Sequence, residues 1–327
     1  MNITQIFSLE NSDLDIKNQE SKESKESKES KESKEDESKE SKESKDEEEN
    51  EAENEIIPSL EKIRGLPGTS FKFKEIDKRH YQPWECLTIK DKKFIKFYLD
   101  SNKHKKMLQL SQHCVLKAYP SSFSSKNYDI IKCWLCGCQI TALNIQALED
   151  DYTLFNTVFF YQNQKCGFVL KPPKLLNPNN LELYNDTALY TLKMKIISCY
   201  NLITLLEKGK DVKSDKTSLH IEMYSLGSIK DDKNPHKKFD VKGGLMFPDI
   251  NKNSKIEYEI PVYEKDLGGL MIKFSHGGNM IGRGCIPYCL MKNGYRKIPV
   301  FNNSCYICDD AFVLGYFCLS KKDKAKK

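Results

Sequence analysis

Two cysteine spacings in this sequence have the form of metal ligands. Cys133 and Cys136, with Cys138 two residues on, make one Cys-x-x-Cys turn, and Cys305 with Cys308 makes another. Each turn would supply two of the four ligands that a tetrahedral zinc requires. The alternative is packing: the chain has twelve cysteines spread over 327 residues, and its start, MNITQIFSLENSD, has no basic n-region and no long apolar run. Reduced, mostly buried thiols fit that pattern better than a disulfide scaffold. Acid–base chemistry would fall to the six histidines, His80, His104, His113, His220, His236 and His276. Nothing beside His104 suggests a catalytic partner. His104 stands in Lys103-His104-Lys105-Lys106, which reads as a solvated loop where the imidazole would titrate near neutrality.

The elements around these residues follow from short apolar runs. Val115-Leu116-Lys117-Ala118-Tyr119 stops at Pro120, while Ile140-Thr141-Ala142-Leu143 and Phe168-Val169-Leu170 are each entered through a glycine. Such runs predict buried parallel strands. Ser70 to Lys74 alternates as a strand would, and KKFIKFYL from Lys92 to Leu99 has the spacing of a partly buried helix. Strands alternating with helices imply βα units and a parallel sheet.

Length sets about two domains, and a net charge of +5, from 52 basic and 47 acidic residues, does not by itself point to nucleic acid. No apolar run reaches the roughly 18 residues of a membrane span, so the chain reads as cytoplasmic. Residues 1–57, cycling Ser-Lys-Glu into an acidic run, cannot bury enough surface to offset ordering entropy and read as a disordered tail or linker. After Pro172-Pro173 and Asn177-Pro178-Asn179-Asn180 the pattern changes. Tyr190–Ile197, Leu219–Met223, Ile256–Ile260, Leu270–Phe274 and Phe312–Phe317 alternate between Gly, Asn and Asp turns, which predicts an antiparallel sandwich.

Five blocks between Lys117 and Pro172 carry a family resemblance: Lys117-Ala118-Tyr119-Pro120, Ser125-Lys126-Asn127-Tyr128, Trp134 with Gly137-Cys138-Gln139, Ala142 to Gln146, and Cys166-Gly167-Phe168-Val169-Leu170-Lys171-Pro172. In order and spacing they resemble the Y-box of eukaryotic phosphoinositide-specific phospholipase C. The order Leu192 to Leu202, a Met280-Ile281-Gly282 turn, Ile286-Pro287 and Gly294-Tyr295-Arg296 resembles, more loosely, the C-two domain that follows the Y-box. The expected fold is therefore α/β plus all-β: residues 58–178 as the second half of a TIM-like (β/α) barrel, then residues 179–327 as an antiparallel C-two β-sandwich with a basic C-terminal tail. Half a barrel would leave unpaired edges and an apolar interior open to water, which the first half covers in the family. Without that half, a poorly soluble or oligomeric Y region is expected beside an independently stable sandwich.

The resemblance implies hydrolysis of phosphatidylinositol 4,5-bisphosphate to diacylglycerol and inositol trisphosphate. It also implies that the proton-transferring histidines and the calcium ligands belong to the X-box, which this sequence lacks. The Y half supplies substrate grip: Lys117 stands where the family has a phosphate-binding arginine, and Tyr119 where a tyrosine packs the inositol ring. Lys117 keeps the charge but not the bidentate fork. Thr88 aligns with a phosphate-touching serine. Gln139, Asn144, Trp134, Lys171 and Cys138 match positions that packing and loop structure explain. In the C-two part, Ser275 to Met280 has no carboxylate for calcium. Lys208, Lys210, Lys213 and Lys216, and the terminal Lys321, Lys322, Lys324, Lys326 and Lys327, would either meet anionic lipid, at about 1 kcal/mol each, or be solvated. The acidic segment before the Y half either shields the active-site mouth or is simply solvated. The implied partners are a phosphoinositide headgroup, an anionic membrane surface at which the chain is peripheral, and an X half in cis or trans, with no nucleic acid. The competing reading is a catalytically inactive phosphoinositide- or protein-binding module.

Overall fold

The structure is a computed structural model and describes residues 62–121, 126–177, 188–206, 219–227, 236–242 and 256–322, with Ser59, Leu245 and Pro248. The tail at 1–57, the lysines at 208–216 and those at 324–327 lie outside the described residues, as do Ser125 and Pro178 to Asn180.

Four strands, β1 (Gly68–Ser70), β2 (Cys86–Lys90), β3 (Val115–Tyr119) and β4 (Ile140–Thr141), pair in parallel in the order β1-β2-β3-β4. Helices α1 (Asp91–Leu99), α2 (Ser101–Leu110), α3 (Ile130–Leu135), α4 (Asp151–Phe159) and the short α5 (Pro173–Leu176) accompany them. Aspartates begin three of these helices. Asp100 accepts from the Asn102 and Lys103 amides, Asp129 from Ile131 and Lys132, and Asp150 from Tyr152 and Thr153, satisfying donors that a helix start leaves open.

One face of this sheet is a core face. Leu87, Ile89, Leu116 and Ala118 are buried against Phe94, Met107, Leu108 and Ile131 of the helices. The turn after α3 needs Gly137, at φ +84°, because any side chain there would collide with Ser111.

The second part is a β-sandwich. Strands β7 (Lys237–Val241), β6 (Leu219–Leu226), β9 (Gly269–His276) and β10 (Asn279–Pro287) form one sheet; β11 (Gly294–Phe301), β12 (Ile307–Lys321), β5 (Tyr190–Tyr200) and β8 (Glu257–Val262) form the other. A single bridge, Arg283 to Phe301, joins them. Ile221, Met223, Ile272 and Phe274 from the first sheet pack with Leu192, Met194, Ile260, Val313 and Phe317 from the second, the interdigitated core of a sandwich.

The structure departs from the sequence reading in five places. Ser70 to Lys74 is not one strand: β1 ends at Ser70, and Phe71 and Phe73 turn onto Phe97, 6.0 and 5.0 Å between ring centroids. The supposed loop around His104 lies inside α2, with His104 only 2% exposed. Phe168 to Leu170 forms no strand, and Phe168 and Leu170 are 70% and 87% exposed; no neighbouring strand among the described residues offers them a ladder. Met280 to Gly282 belongs to β10, and the reversal falls at Gly277-Gly278, both at positive φ. Last, the half-barrel and the sandwich share a core. Tyr224, Leu226, Met271 and Cys285 of the sandwich pack in one cluster with Leu154, Phe155 and Trp134, so one outer face of the sandwich is apolar and covered.

Candidate functional site

Parallel register carries the site residues across the sheet in rows. Ser70 pairs with Thr88, Thr88 with Lys117 and Lys117 with Ile140, while Lys90 pairs with Tyr119 one step nearer the C-terminal ends. Because side chains alternate along a strand, Ser70, Thr88, Lys90, Lys117 and Tyr119 share the face opposite the buried leucines. Thr88, Lys117 and Tyr119 are half-buried, and Ser70 and Lys90 are exposed. The expected apolar interior thus carries two hydroxyls, two ammonium groups and a phenol beside Cys86, Val115 and Ile140. All three residues singled out from the sequence, Thr88, Lys117 and Tyr119, fall on it. Ser70 and Lys90 were not foreseen, since pairing between strands is not a local property of the sequence.

Ammonium groups and hydroxyls are side chains that hold anions by point charge and hydrogen-bond donation. The Thr88 hydroxyl is directed to the Thr69 carbonyl at 3.4 Å. The positive charge of Lys117 reaches below the row, where it opposes the upward push that burial gives the Cys86 thiol. No carboxylate and no histidine belongs to this face among the described residues. Calcium, which takes several oxygen ligands including carboxylates, therefore does not fit it, nor does it fit the Ser275 to Met280 turn.

The loops above the strand ends are tied together. Asn127 donates from its backbone to Asp150 at 3.2 Å and from its side chain to the Asn144 carbonyl at 3.3 Å and the Thr153 hydroxyl at 2.8 Å, and it accepts from the Asn144 amide at 2.7 Å. The Tyr128 hydroxyl donates to the Ala142 carbonyl at 2.9 Å. Gln139 and Lys171 are structural. Gln139 accepts from the Leu116 amide at 2.8 Å, and Lys171 donates to the Ser111 hydroxyl and the Gly137 carbonyl at 3.2 and 3.1 Å. Trp134 stacks among Phe155, Phe159 and Phe160.

The cysteines form no metal cluster: no three His, Cys, Asp or Glu gather in a ligating arrangement among the described residues. Cys133, Cys136 and Cys138 are buried; burial pushes all three thiols up, Cys138 to about 12. Cys138 contacts the Leu116 and Ile140 carbonyls. Cys305 contacts the Leu148 carbonyl. Burial likewise lowers the His104 imidazole, whose Nε2 meets the Leu135 carbonyl at 2.8 Å, so it does not behave as a solvated histidine.

The fold is a parallel half-barrel sheet followed by a sandwich of C-two type. Residues 65–174 match the family described as phosphatidylinositol-specific phospholipase C, Y domain. The chain is 29% identical over 262 residues to a 1-phosphatidylinositol 4,5-bisphosphate phosphodiesterase of Dictyostelium discoideum, covering 76% of this chain and 31% of that protein. It is 26% identical over 208 residues to the delta-1 phosphodiesterase of Rattus norvegicus, covering 58% of this chain and 26% of that one. The crystal structure of S. officinalis PLC21 superposes with a TM-score of 0.60 at 20% identity, across 81% of this chain and 33% of that one. The chain thus spans about a quarter to a third of the length of these relatives. It resembles the C-terminal portion of phosphoinositide-specific phospholipase C. No helix among the described residues is long and apolar enough to cross a membrane.

Proposed function

We propose that this chain supplies the substrate-gripping half and the membrane-docking domain of a phosphatidylinositol 4,5-bisphosphate phosphodiesterase, acting peripherally at an anionic membrane surface. The observation that carries this reading is the open row of Ser70, Thr88, Lys117 and, one step up, Lys90 and Tyr119 on one sheet face. Lys117 and Lys90 would attract the headgroup phosphates, Thr88 would donate its hydroxyl to one of them, and Tyr119 would pack the inositol ring.

The acid, the base and the calcium-held charge stabilisation would come from an X half, in cis or in trans. Residues 1–57, residues 58–178 and residues 179–327 would then be the linker, the grip and the docking domain. A second reading, a binding module without catalysis, is favoured by the histidines. His104 is buried in α2, His236 faces Glu222 at 2.8 Å and His220 faces Asp240, all in the helical layer or the sandwich.

Hydrolysis of phosphatidylinositol 4,5-bisphosphate in calcium, measured for this chain alone and mixed with an X half, tests the proposal. Turnover only in the mixture, reduced by Tyr119→Ala, is the expected result. Turnover by the chain alone would overturn the assignment of the chemistry elsewhere, and no turnover in either with headgroup binding retained would establish the binding module.

A further inference from the structure

Arg283 is fully buried, yet it stands in a glycine-containing strand of the sandwich, far in sequence from the half-barrel. Its guanidinium crosses between the two parts. One nitrogen donates to the Glu149 carbonyl at 3.0 Å and the Asp150 carbonyl at 2.9 Å and lies 3.4 Å from Asp151; the other donates to the Leu148 carbonyl and lies 3.3 Å from the Cys305 sulfur. Three consecutive carbonyls of the loop after β4 therefore end on one side chain. Lys273 and the Tyr224 hydroxyl, also from the sandwich, meet the same Asp151. A planar fork with five fixed donors can hold three carbonyls and a carboxylate at once; an ammonium on a flexible stem cannot.

That loop follows the C-terminal end of β4, the neighbour of the strand that carries Lys117 and Tyr119. Asp150, whose carbonyl Arg283 holds, caps α4 with its carboxylate and accepts the Asn127 amide. Asn127 in turn fixes Asn144, and Tyr128 fixes Ala142. Ala142 donates to the Ala118 carbonyl, on the strand that carries Lys117 and Tyr119. A continuous path of hydrogen bonds runs from the sandwich to the strand ends.

We propose that Arg283 is a positioning residue for the headgroup grip: the sandwich, chiefly through this guanidinium, sets the shape of the loops that flank Lys117 and Tyr119. The inference rests on the headgroup reading above and deepens it. It makes the docking domain a determinant of affinity for soluble headgroup, with no membrane present.

The test uses the full chain, Arg283→Met and Arg283→Lys, with two readouts: hydrogen exchange of the amides at 126–129 and 142–151 against those of β12, and calorimetric binding of inositol 1,4,5-trisphosphate. Arg283→Met should speed exchange in the two loops at least tenfold over any change in β12 and weaken binding about tenfold, and Arg283→Lys should recover part of both. Unchanged loop exchange, an equal rise in β12, or faster loop exchange with unaltered binding would each overturn the inference. If the parent chain binds no inositol trisphosphate, the headgroup reading falls separately, and the exchange pattern alone decides whether Arg283 holds the loops.

Discussion

The parallel sheet and the sandwich handle their faces differently. The sandwich turns the inner faces of both sheets onto one apolar core, whereas the parallel sheet packs the face carrying Leu87, Ile89, Leu116 and Ala118 against its helices and leaves most of the other half-buried or exposed. A face that folding does not need is free to carry Ser70, Thr88, Lys90, Lys117 and Tyr119. On the proposed reading, stability and recognition are separated by a single step along β3, between Leu116 and Lys117.

Substitutions at those two neighbours would break the comparison most sharply. Leu116→Ala should lower unfolding free energy by about 2–5 kcal/mol in urea titration. Lys117→Met should move the urea midpoint hardly at all, because Lys117 stands on the face opposite the helix-packed core; a large loss there would mean that this face is structural after all. The boundary between the two parts is the next place to press. Gly269 on β9 lies so close to α4 that a methyl group would sit 2.5 Å from the Phe155 ring and 2.9 Å from the Ile286 carbonyl. Gly269→Ala should cost about 1–3 kcal/mol by the same titration, and it should loosen both parts together if the core is shared.

The helical layer should also show a pH signature. Burial depresses the His104 imidazole below its usual value, so below about pH 6.5 the unfolded chain takes up a proton that the folded chain refuses. Stability contributed in this way is present above the unfolded value and is lost as pH falls through and below it. Unfolding midpoints followed from pH 7.5 to 5.5 should decline, and the decline should be shallower in His104→Gln. The smallest effect is expected from the thiols. Chelator treatment should leave the melting temperature unchanged, and a thiol reagent should label exposed Cys166 and Cys289 while sparing Cys133, Cys136 and Cys138. Loss of fold in chelator would restore the zinc reading.

What the sequence showed and what it hid follow from the range of the interactions involved. Strand β3 was legible to the residue because an apolar run stops at Pro120, and five sandwich strands were legible from their alternation. Strands β10 and β11 were hidden by Gly282, Gly284 and Pro299; Gly282 lies where a side chain would meet Leu205 and the Phe301 carbonyl. Helix α2 was hidden by the lysines around His104, although His104, Met107 and Leu108 have the i, i+3, i+4 spacing of a buried face. Lys117 and Tyr119 share a face by the period of a strand, which sequence shows. Their meeting with Thr88, Ser70 and Lys90 depends on register between strands, which it does not. Arg283 carried no local signal at all, since the carbonyls it holds stand more than a hundred residues away.

Calorimetric titration of inositol 1,4,5-trisphosphate into the chain and into Lys117→Met tests the central claim most directly. Saturable binding by the parent, weakened at least tenfold in Lys117→Met with the unfolding midpoint unchanged, is the predicted result. Absence of saturable binding in the parent, or equal affinity in the two proteins, would contradict the assignment of the headgroup grip to this face.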